Sequence, residues 1–363
     1  MKCIFVIPRM GGGGAERVVS LLANALAEKE NEVTVFTLVD GECFYALNQR
    51  VRTESADARI NRKNSLTRML SMMAFFPKAF FVLHKKLRKG KYDAVISMLP
   101  ECDILVGLCK LFGLKFRHVC SERNDPTVNK GWLMAILKAV YKRAELFVCQ
   151  GKRVYDFYHT VPERVKRVIP NPIDGHKLPE RVVADTKRVV GVGRLSDQKN
   201  FPLLINSFAA LGQEFGAYRL DIYGEGPNHA SLQKQIDELN MHDRITLCGA
   251  RKDVQSLIAD AELFVMSSNY EGFPNALLEA MAIGLPVIST DFPTGIAVEL
   301  IGEENGLVVP VNDQTALTEA MKCLLLDKER RQKMGETNRE KCKAYYTPNI
   351  IARWEKAVEE IAK

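Results

Sequence analysis

The stretch Glu271-Gly-Phe-Pro-Asn-Ala-Leu-Leu-Glu279 decides how the chain is read. It sets two carboxylates on either side of a short turn and a helix start. Leu263-Phe-Val-Met-Ser-Ser268 precedes it, and Leu285-Pro-Val-Ile-Ser289 follows the helix. Both are short apolar runs that predict buried strands, so the unit is the strand–helix–strand crossover of a parallel sheet. Ligands of such sheets lie beyond the carboxyl ends of the strands, and Glu271 falls there. Gly272, Phe273, Pro274, Asn275 and Ala276 lead into the helix, whose first amides are free and suit an anion. Glu279 lies about one turn further on and can face the same cleft. One loop acid, one helix acid and the amides between them can hold a sugar, a ribose and a diphosphate. A loop glutamate and a solvated helix glutamate would show the same spacing, but the strand context and the Gly-Phe-Pro-Asn turn favour binding.

Upstream, Arg188-Val-Val-Gly-Val-Gly-Arg-Leu195 predicts a strand leaving into a loop, and Ser196-Asp-Gln-Lys-Asn-Phe-Pro202 starts the next helix. Gly193, Arg194 and Lys199 therefore bracket a strand-to-helix turn at a sheet end. Arginine offers a bidentate fork and lysine a compact charge, and both suit a diphosphate. Leu220-Asp-Ile-Tyr-Gly-Glu-Gly-Pro227 and Ile245-Thr-Leu-Cys-Gly249 are further strand ends.

Glu271 and Glu279, with seven residues between them, resemble the paired-glutamate signature of the retaining glycosyltransferase family four. The resemblance covers essentially the whole chain, most specifically residues 194–279. It implies an α/β architecture of the GT-B kind, two Rossmann-like, doubly wound parallel-sheet domains facing a central cleft. It implies a nucleoside diphosphate sugar as donor, read as UDP-linked, with Arg194 and Lys199 on the diphosphate. Glu279 would hold the ribose hydroxyls, and Ala250 and Arg251 would border the base. Glu271 would hold the transferred sugar, with Glu271, Arg194 and Lys199 as the catalytic group. There is no obvious second carboxylate for a double displacement, so the expected route is front-face attack with the leaving phosphate as base. The chain has no Asp-x-Asp pair, and no cofactor or divalent metal is expected.

The amino-terminal half opens with the predicted strand Met1-Lys-Cys-Ile-Phe-Val-Ile-Pro8, then Arg9-Met-Gly-Gly-Gly-Gly-Ala-Glu-Arg17. A helix over 18–28 follows, with Val18, Leu21, Leu22, Ala25 and Leu26 on one face. Glycine lets backbone approach a ligand, so Gly13 and Gly14 are candidate donor-side contacts. The loop is not G-x-G-x-x-G, and only Asp40, directly before Gly41, follows the second strand. A dinucleotide site and a plain flexible turn both stay open for the loop alone. Gly13-Gly-Ala-Glu-Arg17 also resembles members of the same family that extend lipid-linked oligosaccharides. That implies a polyprenyl-diphosphate-linked saccharide as acceptor, with Glu16 and Arg17 toward it.

Residues 66–83 are rich in Met and Phe, broken by Pro77 and flanked by Arg62, Lys63, Arg68, Lys85, Lys86, Arg88, Lys89 and Lys91. The expectation is a pair of amphipathic helices, either packed in the core with a solvated basic tail or laid on a membrane surface. The loop Ser121-Glu-Arg-Asn-Asp-Pro126 closes another strand. Family members often carry a histidine in it. Here Arg123 stands third, and His118 lies inside the strand, so no histidine role carries over. Arg123 is read as holding an acceptor phosphate or as an ordinary ion pair.

The 363 residues fit about two domains. They are read as 1–173 (acceptor and membrane side) and 174–346 (donor side), with 347–363 crossing back. Hydrophobic residues make up 47% and charged residues 26%, the balance of a soluble globular protein. No apolar run reaches the roughly 20 residues of a bilayer span, and the first residues show no signal-peptide cleavage pattern. Nine scattered cysteines without C-x-x-C spacing argue for a reducing compartment and against structural zinc. The net charge of +7 divides as +13 through Ile173 and −6 beyond it. A basic first half suits an anionic phospholipid surface, a lipid diphosphate or a nucleic acid. The reading takes the first two and excludes nucleic acid, placing the protein in the cytoplasm, peripheral on the inner face of the membrane. Its rivals are a transferase to a soluble acceptor, a nucleotide-sugar epimerase or hydrolase, a dinucleotide oxidoreductase and a non-catalytic binding module.

Overall fold

A computed structural model describes residues 1–58 and 65–362, with the side chains of 65–74 and 362 outside that description. The chain divides into two compact units, Met1–Pro172 with Thr347–Lys363, and Ile173–Tyr346.

The first unit holds strands β1 (Lys2–Ile7), β2 (Glu32–Thr37), β3 (Arg52–Ser55), β4 (Ala94–Met98), β5 (Arg117–Ser121), β6 (Leu146–Cys149) and β7 (Lys166–Val168). They form one sheet in the order β3-β2-β1-β4-β5-β6-β7, every neighbour parallel. The second unit holds β8 (Arg188–Val192), β9 (Arg219–Tyr223), β10 (Ile245–Gly249), β11 (Leu263–Met266), β12 (Val287–Thr290) and β13 (Gly306–Val309). Their order is β10-β9-β8-β11-β12-β13, again all parallel. Both sheets are doubly wound, reversing strand order once. The switch points lie between β1 and β4 and between β8 and β11, where loops diverge and leave a crevice for ligands.

The strands are short because they are buried on both faces. Residues 3–7 of β1 and all of β4, β6, β11 and β12 are buried, as helices on both sides of a parallel sheet require. The helix Gly14–Glu28 buries Val18, Val19, Leu22, Ala23, Leu26 and Ala27 against β1 and β2. The helix Thr347–Ala362 adds Ile350, Ile351, Trp354, Ala357 and Val358 to the same cluster. In the second unit, the helix Asn275–Ile283 buries every residue from Leu277 onward. The helix Lys328–Cys342 crosses its end so closely that a Cβ on Gly335 would lie 2.2 Å from the Gly284 carbonyl oxygen.

Three segments differ from expectation. Residues 65–90 form one helix, Ser65–Gly90, that runs through Pro77, rather than a broken pair. Proline removes one amide and clashes one turn back. That cost is offset because Phe75, Ala79, Leu83 and Leu87, four residues apart, all sink into the core on one stripe. Phe76 and Phe81 on the other side are 48% and 69% exposed. Arg62 and Lys63, and the side chains of Arg68, Met69, Leu70, Met72 and Met73, lie outside the described residues. Residues 165–171, which the sequence reads as a strand completing the sheet, pair only over the three residues of β7, with Val165 in the 3-10 turn Glu163–Val165. β3, which carries no apolar residue, and β13, the short apolar run Gly-Leu-Val-Val, add to the sheet edges.

Candidate functional site

The loops after β8 and β11 meet at the switch point of the second sheet. Gly193 leaves β8 with its amide donating to the Tyr223 carbonyl at 3.0 Å. The Lys199 side chain lies across it, and a Cβ there would meet Lys199 Cε at 2.9 Å. Only glycine leaves room for that path. Asn200 holds a left-handed backbone (φ +48°), steadied by its side-chain amide donating to Asn269 Oδ1 at 2.9 Å and Asn312 Oδ1 at 2.8 Å. The helix Phe201–Ala209 then begins.

The two loops are laced together. Ser267 Oγ donates to the Lys199 carbonyl at 2.9 Å, the Asn269 amide to the Gln198 carbonyl at 2.8 Å, and Asn269 Nδ2 to the Asp197 carbonyl at 2.8 Å. Thr290 Oγ1, at the end of β12, donates to the Ser268 carbonyl at 2.6 Å. This lacing aims Lys199 Nζ at Glu271 Oε1, 2.5 Å away. The Glu271 carboxylate also accepts from Ser268 Oγ at 2.6 Å and Gln198 Nε2 at 3.3 Å, and its carbonyl accepts from Thr294 Oγ1 at 3.1 Å. A buried carboxylate is tolerable only when paired and hydrogen-bonded, and Glu271 is both.

Phe273 and Pro274 are buried behind this pair, and the helix Asn275–Ile283 starts after Pro274 without a side-chain cap. Its first-turn amides at Ala276 and Leu277 make no intrahelical bond. They carry the positive end of the helix dipole. One turn on, Glu279 is buried and accepts from Gln255 Nε2 at 2.7 Å. Arg194 is exposed just past β8, and its guanidinium makes no ion pair among the described residues. Ala250 and Arg251 are exposed past β10. Gly193, Arg194, Lys199, Ala250, Arg251 and residues 271–276 thus share the carboxyl edge of one sheet. A free cation, helix-start amides and a held lysine can receive a diphosphate. Gln198, Gln255, Ser268 and Thr294 complete the arrangement, yet no motif flagged them. They are common polar residues whose partners lie far off in the chain or depend on the loop's own fold.

A cavity of about 360 Å³ opens at the opposite, amino edge of this sheet, lined by Arg181, Glu262, Lys328, Arg331 and Arg339 among others. The Arg331–Glu262 ion pair (2.6 Å) and bonds from Arg331 to the Leu324 and Leu325 carbonyls fill its wall. That edge is the packing side of the sheet.

In the first unit, Gly13 caps the helix Gly14–Glu28. Glu16, three residues on, is buried and folds back over the loop: a Cβ on Gly13 would lie 2.3 Å from Glu16 Oε2. Tyr45 OH donates to the Gly12 carbonyl at 3.2 Å. Gly14 is exposed and Arg17 partly exposed. Arg123 is not on the surface. It is 6% exposed, with Nη1 donating to Asn171 Oδ1 at 2.5 Å. Burial lowers its pKa to about 9, with Glu122 and Asp103 opposing.

Behind Arg123 runs a buried polar network. Ser97 Oγ donates to Asp103 Oδ1 at 2.5 Å and lies 2.8 Å from His118 Nε2. Tyr141 OH donates to Asp103 Oδ2 at 3.0 Å and to Glu122 Oε2 at 3.3 Å. Tyr158 OH donates to Glu122 Oε2 at 2.7 Å. Burial pushes the Asp103 and Glu122 carboxyls up and lowers His118 to about 3. Asp103, His118 and Cys120 bring ligand atoms within 4.8 Å of one another. Burial drives the Cys120 thiol well above its usual range, and the other two already bond Ser97. The trio is accounted for as packed polar core.

Two parallel, doubly wound units, with Arg194, Lys199 and an uncapped helix start at one switch point, have the architecture of a GT-B type glycosyltransferase. The family Glycosyl transferases group 1 matches residues 177–341, and Glycosyltransferase Family 4 matches residues 12–177. The chain belongs to these glycosyltransferases. It is 27% identical, over 99% of both chains, to a Campylobacter jejuni α-1,4-N-acetyl-D-galactosaminyltransferase named for a GalNAc-bearing diNAcBac-PP-undecaprenol. It is 28% identical, over 93% of both, to a second Campylobacter jejuni enzyme, an N-acetylgalactosamine-N,N'-diacetylbacillosaminyl-diphospho-undecaprenol 4-α-N-acetylgalactosaminyltransferase. Among solved structures, Thermosynechococcus elongatus sucrose-phosphate synthase superposes with TM-score 0.85 at 19% identity, over 99% of both chains. Anabaena HepE in complex with UDP superposes with TM-score 0.81 at 18% identity, over 99% of this chain and all of that one.

Proposed function

We propose that the enzyme moves a hexose, or an N-acetylhexosamine, from a UDP-linked donor to a polyprenyl-diphosphate-linked saccharide, with retention at the anomeric carbon. The observation that carries this reading is the Lys199–Glu271 pair beside the uncapped helix start and Arg194. Breaking the anomeric bond loads negative charge on the departing diphosphate. Arg194, Lys199 and the amides at Ala276 and Leu277 stabilise that charge where it develops. Glu279 holds the ribose hydroxyls, Ala250 and Arg251 border the base, and Glu271 holds the transferred sugar while orienting Lys199. Glycine backbone at Gly13 and Gly14 admits the donor's sugar side, and Glu16 and Arg17 face the acceptor. Cations and dipoles supply the electrophilic help, so no divalent metal is needed. The lipid-linked acceptor is supported by what both Campylobacter relatives are named for.

The same reading puts the enzyme on the inner face of the cell membrane. No helix among the described residues is long and apolar enough to cross a membrane. The first half carries +13, and Phe76, Phe81, Leu111 and Phe112 are exposed apolar side chains on it, suited to an anionic bilayer surface. Flotation with anionic vesicles, weakening with salt, is the expected result; equal binding to neutral vesicles would remove the membrane clause.

The deciding experiment is a donor screen of UDP-hexoses and UDP-N-acetylhexosamines against one undecaprenyl-diphosphate-linked saccharide. UDP release should depend on the acceptor, and the new linkage should be α for an α-linked donor. UDP release unaffected by acceptor would instead indicate hydrolysis or epimerisation.

A further inference from the structure

Arg123 is a buried cation that makes no ion pair among the described residues. It stands at the carboxyl end of β5, the edge of the first sheet where ligands of this architecture bind. Its Nη1 is occupied by Asn171 Oδ1. Gln150 Nε2 donates to the same Asn171 oxygen. Trp354 lies against the guanidinium, its ring centroid 5.7 Å from Cζ. Nε and Nη2 are buried and have no partner. Those two N–H groups form one edge of the guanidinium plane, the side-on fork that takes two oxygens of a carboxylate or phosphate together.

No side chain supplies them. Arg123 makes no ion pair among the described residues, and its neighbour Glu122 is fully engaged. The Glu122 carboxylate accepts from the amides of Arg123 and Asn124, both at 3.1 Å, and from the Tyr141 and Tyr158 hydroxyls. Burial also raises the pKa of Glu122, which weakens it as a counter-charge. An unpaired buried guanidinium is costly, and structures keep one where something else completes it.

The surroundings say what that is. Among the described residues, the buried side-chain atoms without partners are Ser121 Oγ, Arg123 Nε and Nη2, Asp125 Oδ2, Asn129 Nδ2 and Trp354 Nε1. They fall in residues 121–129 and on the indole that covers Arg123. All but Asp125 Oδ2 are donors. A carboxylate has two oxygens to offer such a set, whereas a phosphoryl group has three and carries up to two charges.

We propose that the Nε–Nη2 fork of Arg123, under Trp354, is an oxyanion seat in the first unit that takes a phosphoryl group. The phosphoryl group belongs to the acceptor's lipid diphosphate or to a free phosphate; the first source rests on the acceptor proposed above. Solvent does not reach either nitrogen, so seating the anion moves Trp354 or the 121–129 loop.

That movement gives a readout independent of turnover. The Trp132→Phe enzyme keeps Trp354 as its one tryptophan, and saturating UDP occupies the proposed donor site of the second unit. Inorganic pyrophosphate, a polyprenyl-diphosphate-linked saccharide and the same saccharide without its diphosphate are titrated in turn. The first two should change Trp354 fluorescence saturably and the third should not. Arg123→Lys, which keeps the charge and loses the fork, should weaken both by about ten- to a hundredfold. Pyrophosphate acting alone, with the lipid-linked saccharide silent, supports the seat and refutes the proposed acceptor. No response to any anion, or equal affinity in Arg123→Lys, overturns the seat. Should Arg123→Lys not fold, Trp354→Phe keeps the stacking and loses one donor. It should then show a smaller pyrophosphate-induced rise in melting temperature than the parent; an undiminished rise overturns the seat.

Discussion

Lys199 and the buried Glu271 meet as a partly buried ion pair, Nζ to Oε1 at 2.5 Å, across 72 residues of chain. The pair joins the loops that leave β8 and β11, so it is a structural clasp, and on the proposed function it is also the centre of the charge that receives the donor. The two roles separate by mutation. Lys199→Met leaves Glu271 buried without its cation, which costs about 3–5 kcal/mol of stability. The double variant Lys199→Met/Glu271→Leu should recover most of that loss, since an apolar pair of similar volume replaces a buried ion pair at little cost. Turnover should stay about a hundred- to a thousandfold down in the single and the double variant alike. Denaturant unfolding and initial rates on the same preparations check this; activity returning with stability would reduce the pair to a clasp.

In the proposed function Glu279 sets donor affinity without touching the reacting bond. Its carboxylate already takes Gln255 Nε2, which fixes its direction. Glu279→Ala should weaken UDP binding about ten- to a hundredfold, the worth of charge-assisted hydrogen bonds. Gln255→Ala should weaken it less, because it loosens the carboxylate and leaves its charge. Calorimetric titration with UDP makes the comparison; equal affinity in wild type and Glu279→Ala would remove the ribose role.

Turnover should survive chelation. Arg194, Lys199 and the helix amides supply positive charge from the chain itself. Full rates in EDTA are expected, with no gain from added magnesium or manganese. A rate lost in EDTA and restored by either ion would place a metal on the diphosphate.

The first unit should lose stability in mild acid through His118. Burial holds this ring's pKa near 3 against an ordinary 6.5, so the unfolded chain binds a proton that the folded chain refuses. The contribution is full above about 6.5 and is lost as pH falls toward 3, by up to about 1.4 kcal/mol per pH unit. Asp103 and Glu122 work the other way. Their raised values let the folded state take up protons first, so their contribution grows as pH falls through their folded values. His118→Gln should therefore flatten or reverse the slope between pH 6.5 and 5. Both tryptophans, Trp132 and Trp354, lie in the first unit, so intrinsic fluorescence during urea unfolding reports it selectively. An unchanged slope would place the acid sensitivity elsewhere.

The fold was legible wherever a strand was an apolar run ending in a glycine or polar turn, as at β1, β8, β11 and β12. β3 escaped because Arg-Thr-Glu-Ser carries no apolar residue, and an edge strand needs none on its open side. Pro77 misled for a local reason: chain-local rules give it a break, while the buried stripe from Phe75 to Leu87 holds the helix through it. The site was legible as residue types at sheet ends, which is how Lys199 and Glu271 fell at the same edge. That they bond each other was not, because register and loop length fix such contacts. Arg123 shows the limit most clearly. Its loop position allowed an acceptor phosphate or an ordinary ion pair, and nothing in the sequence showed that Trp354, from a helix 231 positions along, packs against it.

That last helix has a consequence for synthesis. Thr347–Ala362 contributes Trp354 and its neighbours to the core of the unit that emerges first. The amino-terminal unit must therefore wait, with part of its apolar floor uncovered, until all of residues 173–346 have been made. The later-made unit can close on its own residues and finish first. Holding chaperones should engage the nascent chain through residues 1–172 for longer than its length alone would require.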